Sequence, residues 1–217
     1  MSYPVTIVDN FFNDPDAIGE MAESLNFYNP NTGNWPGTRT KQLHIENPSF
    51  FNYFGGKIFS LFHETVPDYW KIQCHFQKIN PFCKDKYDKK NRGWIHQDEN
   101  CYFGGIVYLT KNPESDTGTS IYKAKKGYSF QFKKTLDMKE ALYKSKPVDD
   151  KEYEIEFDTM NDQYEETVRV SNVYNRLLLF DNMAHHGVQT FGTTPRLTLN
   201  FFGIDHTGKI PPIMRMK

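Results

Sequence analysis

The run Arg196-Leu197-Thr198-Leu199-Asn200-Phe201-Phe202 sets the tightest limit on what this chain can fold into. Polar and apolar residues alternate with the period of a β-strand, whose neighbouring side chains point to opposite faces. Leu197, Leu199 and Phe201 share one face and need an apolar layer to pack against. Arg196, Thr198 and Asn200 share the other, which must line water or a cavity, because burying such groups without partners is costly. The same period runs from Trp70, where Ile72, Cys74 and Phe76 alternate with Lys71, Gln73, His75 and Gln77. Further strand-like runs fall at 5–8, 102–110, 119–123, 168–171 and 176–180, with a short one centred on 185–189. The aromatic content, 18 Phe and 13 Tyr, suits a β-rich core.

Two helices are expected ahead of the strands. Asp14 reads as a cap with Pro15 in the first turn, for a helix reaching about Leu25. Asn47-Pro48 opens a second, with Phe51, Phe54, Ile58, Leu61 and Phe62 at helical spacing. The chain is expected to form one domain over 1–217. Residues 1–69 form a helical support layer, 70–204 a β core, and 124–165 an insertion with its own hairpin or helix. That insertion is first basic and aromatic (Lys123, Lys125, Lys126, Tyr128, Phe130, Phe132, Lys133, Lys134) and then acidic (Asp149, Asp150, Glu152, Glu154, Glu156, Asp158). It reads as a solvated face or as a lid over a site.

Several function classes lose support at this stage. A net charge of −1 predicts neither nucleic acid nor membrane as a bulk partner. No run is long and apolar enough to span a bilayer, and Met1-Ser2-Tyr3-Pro4 lacks a signal-peptide pattern. Cys74, Cys83 and Cys101 are odd in number and do not form a disulfide frame, so a reducing cytoplasmic setting is expected.

The chemistry-bearing stretch is Trp94-Ile95-His96-Gln97-Asp98. On an extended backbone His96 and Asp98 point the same way and can reach one metal ion. Two histidines and one carboxylate with open positions suit non-haem Fe(II). His44-Ile45-Glu46 has similar spacing but abuts a helix start. A second histidine is available in the pair His185-His186, and Arg196 follows about ten residues later. Only one of the pair can face a metal on a strand, and the spacing leaves both His186 and His185 open as the third ligand. An arginine there can grip a carboxylate with two parallel hydrogen bonds.

His96-x-Asp98, the distal histidine with Val188-Gln189 after it, and Arg196 resemble the signature of the Fe(II)/2-oxoglutarate dioxygenases, nearest to the prolyl 4-hydroxylase-like branch. Tyr108-Leu109 matches the strand end that follows the metal motif in that branch. The resemblance covers roughly 70–204, and Asp9-Asn10-Phe11-Phe12-Asn13-Asp14-Pro15 and Trp35-Pro36-Gly37-Thr38-Arg39 resemble the lead-in of short phage-encoded members. It implies a mainly β chain with flanking helices, folded as a double-stranded β-helix, the cupin-like jelly-roll. It implies Fe(II) on His96, Asp98 and His186, and 2-oxoglutarate with its far carboxylate on Arg196, helped by Tyr108, Thr198 or Asn200. O2 would be the oxidant and ascorbate an accessory reductant. The expected reaction is decarboxylation of 2-oxoglutarate coupled to C–H hydroxylation, of a prolyl or other peptide side chain first, with a small metabolite as the other substrate class. A nucleic-acid-modifying oxygenase, or a non-catalytic metal-binding protein on the same scaffold, is the rival reading. Trp35, Arg39 and Trp94 are expected at a substrate entrance or in structural roles.

Overall fold

The alternating strand is β9 (Arg196–His206), inside a six-stranded antiparallel sheet of the computed structural model, which describes residues 4–29, 35–127 and 132–208. On one side β9 pairs with β4 (Phe103–Tyr108), followed outward by β7 (Leu177–Asp181) and β1 (Val5–Val8). On the other it pairs with β3 (Trp70–Ile79), which carries the two-residue β2 (Thr38–Arg39) at the edge. A second antiparallel sheet places β5 (Thr119–Ala124) between β6 (Tyr164–Val170) and β8 (His185–Val188). The segment around His96 extends this sheet. Its backbone pairs with His186, and the Gly93 N–H donates to the Val188 carbonyl at 2.9 Å.

Period two decides which face each residue serves. In β7, Leu177 and Leu179 face outward, while Leu178 and Phe180 face the second sheet. The apolar set of β9 also faces outward, beneath the helices α1 (Pro15–Ser24) and α3 (Pro48–Phe59). Phe54 of α3 is fully buried and meets Phe201 edge-on, with ring centroids 5.2 Å apart. Each such side chain contributes about 1.5–3 kcal/mol by leaving water. The helix starts follow their caps: Asp14 Oδ1 accepts from Ala17 N at 3.0 Å, and Asn47 Oδ1 from Phe50 N at 3.1 Å. α3 closes at Phe59, before the expected Phe62, and a tighter turn carries the chain on through Phe62 N–H to Phe59 O. His44 and Glu46 lie on the short helix α2 (Leu43–Glu46), away from the other candidate ligands. Asn175, at a positive φ of 63°, pins the N-terminal segment, bonding both the N–H and the carbonyl of Phe12 at 2.8 Å.

The insertion forms two helices, α4 (Phe132–Tyr143) and α5 (Asp150–Asn161), and its end runs into β6, which starts at Tyr164 rather than 168. Leu142, Tyr143, Tyr153, Phe157 and Met160 pack with Trp94 and Phe191 into a separate apolar layer. Several of its charged residues are paired, within the insertion and with the chain beside it. Lys134 lies 3.2 Å from Glu152 and 3.7 Å from Glu156, and Lys123 lies 3.8 Å from Glu165. Asp158 and Asp150 of α5 reach Lys89 and Lys90 at 2.6 and 2.8 Å. Tyr128 and Phe130 lie outside the described residues. No helix among the described residues is long and apolar enough to cross a membrane, and the three cysteines are free thiols.

Candidate functional site

His96 and His186 come together because their two backbones pair. His96 N–H donates to His186 O at 3.0 Å, and His186 N–H donates to His96 O at 2.8 Å. Each Nδ1 lies 2.9 Å from a carbonyl two residues back, Trp94 O for His96 and Ala184 O for His186. A carbonyl only accepts, so each Nδ1 carries the proton and each Nε2 keeps a free lone pair. Metal-binding histidines are typically oriented by such a bond. The His96 side chain is 43% exposed, yet desolvation by the protein packed around it, and then the neighbouring His186, hold its pKa below the usual histidine range.

Asp98 completes the cluster. Its Oδ1 lies 3.9 Å from His96 Nε2 and its Oδ2 3.6 Å from His186 Nε2. The candidate ligand atoms all lie within 4.8 Å of one another, the one such group of three or more among the described residues. The Asp98 N–H donates to Asn182 O at 3.2 Å, tying the carboxylate to the β7–β8 turn. Gly104 faces it from β4: a Cβ at that position would stand 2.5 Å from Asp98 Oδ2. His185 points the other way, with its ring centroid 5.0 Å from that of Tyr164.

The cluster borders an inner cavity of about 110 Å³. A wider bowl of about 640 Å³ shares His96, Asp98 and Lys139 with it. The inner space is smaller than the ~300–1,000 Å³ of drug-sized ligand sites, so it suits a small acid, while the bowl has room for a larger molecule. Arg196 lines the inner cavity and is only 4% exposed, with Nε and Nη2 unbonded. Its guanidinium lies 5.4 Å from the centroid of the Tyr108 ring. Tyr108 itself is fully buried, and its hydroxyl donates to Thr119 Oγ1 at 2.8 Å. Thr198 is buried between Tyr108 and Gln77 in the sheet and is not among the lining residues. Asn200 lines the cavity, donates to Gln77 Oε1 and leaves its own Oδ1 unbonded.

Three lining residues were invisible to sequence reasoning as site residues: Thr119, Gln77 and Lys139. Thr119 and Gln77 follow from strand alternation once the sheet partners are known; Lys139 arrives on α4 with no motif to mark it. Arg39 and Trp35 also line the cavity. Trp94 instead buries its ring against Tyr153 and Phe157, at centroid distances of 5.5 and 5.1 Å, and serves His96 through its carbonyl.

Comparison with solved structures gives the same architecture. A prolyl hydroxylase from Trichoplax adhaerens, in complex with a hypoxia inducible factor peptide fragment, matches with a TM-score of 0.54 and 13% identity, over 94% of this chain and 84% of that one. HygX from Streptomyces hygroscopicus, with nickel and 2-oxoglutarate bound, matches with a TM-score of 0.54 and 12% identity, over 93% and 83%. SnoN, a non-heme alpha ketoglutarate dependent epimerase from nogalamycin biosynthesis, matches with a TM-score of 0.55 and 12% identity, over 97% and 82%. The molecule therefore has the jelly-roll fold of the 2-oxoglutarate/Fe(II) oxygenases, prolyl hydroxylases among them. By its sequence, matched over residues 1–202, the chain belongs to DUF6445, a family of unknown function. No curated protein matches it.

Proposed function

We propose that this chain is an Fe(II)- and 2-oxoglutarate-dependent hydroxylase acting on a prolyl or other peptide side chain. One coincidence carries the reading. Two imidazole Nε2 atoms and a carboxylate converge within 4.8 Å, and the cavity they border holds a buried guanidinium with unbonded nitrogens. His96, Asp98 and His186 would hold the iron and leave positions open beside it. Arg196 would grip the far carboxylate of 2-oxoglutarate with parallel hydrogen bonds. Tyr108 would support that guanidinium from its side, with the ring centroid 5.4 Å away and the hydroxyl donating to Thr119 Oγ1. Asn200 offers a free amide oxygen on the same wall. Ile79, Phe180 and Val188 supply apolar walls that restrict water. The bound iron, with O2, supplies the oxidative decarboxylation that drives C–H hydroxylation. A peptide seated on the Trichoplax enzyme supports the substrate class.

The test is anaerobic addition of Fe(II) and 2-oxoglutarate. The expected result is a visible charge-transfer band, absent in His96→Ala and Asp98→Ala, with succinate released on admitting oxygen. A wild-type protein without the band overturns the reading. A band without succinate release overturns the enzymatic half and leaves a binding protein.

A further inference from the structure

The inner cavity holds more positive charge than the co-substrate can use. Arg196, Arg39 and Lys139 all line it, and Asp98 is the one carboxylate among the lining residues. Fe(II) and the 2-oxoglutarate dianion would cancel each other, and Asp98, whose charge acts on both Arg39 and Lys139, would offset one of the three cations. Two positive charges then have no counter-ion, and the half-buried Arg39 and Lys139 are the cations that the co-substrate does not use.

Neither is held by an acidic side chain in an ion pair among the described residues. Arg39 lies over Trp35, its Cζ 4.0 Å from the ring centroid, and its Nε is buried without a hydrogen bond. Lys139 meets only the Tyr143 ring, at 5.9 Å, and forms no hydrogen bond or ion pair among the described residues. Desolvation lowers the pKa of both, the charge of Asp98 partly offsets this at each, and Arg39 further lowers Lys139. Other lysines do find acids: Lys134, on the same helix as Lys139, pairs with Glu152, and Lys89 and Lys90 pair with Asp158 and Asp150 of α5. A buried cation without a partner is costly to keep, and such groups are normally paired.

We propose that Arg39 and Lys139 form an anion subsite, and that the primary substrate of this chain carries a carboxylate or phosphate group held there. The proposal rests on the hydroxylase reading above and narrows its substrate class. Trp35 backs the Arg39 guanidinium at 4.0 Å, and a guanidinium fork suits two-point contact with an oxyanion. Lys139 stands where the inner cavity meets the bowl, so the anion it holds anchors a molecule whose remainder extends into the larger space. An acidic residue, a free carboxyl terminus or a phosphate ester meets this requirement. A neutral internal prolyl segment does not.

The test uses the full chain loaded with Ni(II) and saturating 2-oxoglutarate, with sulfate as the dianion probe at fixed ionic strength. Thermal unfolding followed against sulfate should give a saturating rise for the wild type. Removing each cation should weaken the apparent sulfate affinity about tenfold, as for the loss of one charged contact worth ~1.4 kcal/mol. The double variant Arg39→Gln/Lys139→Gln should keep only the gradual, non-saturating rise that sulfate gives any folded protein. The double variant must also retain the Fe(II)–2-oxoglutarate band at the wild-type half-saturation. Equal sulfate curves in wild type and double variant, or no saturation in the wild type, overturn the subsite. A band that needs much more 2-oxoglutarate in the double variant also overturns it, by assigning these cations to the co-substrate. A wild type with no band at all fails the hydroxylase reading instead, which separates the two failures.

Discussion

His96 and His186 form a hydrogen-bonded antiparallel pair, and this brings their imidazole centroids to 4.4 Å. The rings are thus set by backbone pairing and by two carbonyl acceptors, not by contact with each other. Residues 90 positions apart in sequence become neighbours in one sheet.

That pairing separates the two candidate histidines. His186→Ala should abolish the Fe(II)–2-oxoglutarate band, while His185→Ala should keep it with nearly unchanged half-saturation. Titration of both variants under anaerobic conditions checks this, and a band lost only in His185→Ala would reverse the assignment.

Arg196→Met should leave metal binding intact and raise the 2-oxoglutarate requirement. Removing one partner of a desolvated pair costs about 2–5 kcal/mol, which corresponds to roughly 30-fold or more in affinity. Isothermal titration with a redox-inert metal present measures it. An unchanged dissociation constant would remove Arg196 from the co-substrate site.

Gly104→Ala tests the Asp98 position without touching a candidate ligand. The added Cβ would stand 2.5 Å from Asp98 Oδ2 and 3.2 Å from Phe180 Cε2. The carboxylate must then swing away, so metal affinity should fall at least tenfold while circular dichroism remains that of the wild type. Undiminished metal binding would show that Asp98 is not needed in its present place.

Phe54→Ala addresses the outer core. Phe54 is fully buried between Phe50, Phe201 and the Phe11–Phe12 pair. A loss of about 3–5 kcal/mol is expected from urea unfolding, the usual cost of emptying a phenylalanine site. A loss under 1 kcal/mol would mean that the helices do not depend on this contact.

Lys139 gives a pH signature. Desolvation brings its pKa down to about 8, below the ordinary lysine value of 10.5. Between these values the unfolded chain holds more protons than the folded one, so this group's contribution to stability rises with pH across that window. Cys101, pushed up to about 12 by burial, pulls the other way above its ordinary 9.0. Comparison with Lys139→Met isolates the lysine: the wild type should gain on the variant from pH 8 to 10.5. Parallel profiles would show that Lys139 is solvated.

Much of the site could be read from local spacing, because strand alternation is local. Leu197, Leu199 and Phe201 had to be buried, so the position of Arg196 on the opposite face followed, and the structure puts that face on a cavity. His96 and Asp98 were legible for the same reason. What stayed hidden depends on contacts between distant segments. Lys139 sits on a helix whose lysines look alike in sequence, and only packing of α4 against the Trp94 layer singles one out. Tyr108 was expected to help Arg196 at the co-substrate; that its hydroxyl donates to Thr119 depends on strand order, which local spacing does not carry. Trp94 was expected at an entrance or in a structural role; its ring is core, and its carbonyl accepts from His96 Nδ1, a contact that spacing alone does not reveal.

The aromatic layer of Trp94, Tyr153 and Phe157 therefore has two dependants. Through α4 it sets where Lys139 stands, and through one peptide oxygen it sets the tilt of the His96 ring. Exchanging the helical insertion with that of another family member would disturb the imidazole as well as the recognition wall. A graft would have to carry residues 94, 153 and 157 together for the two to stay in step.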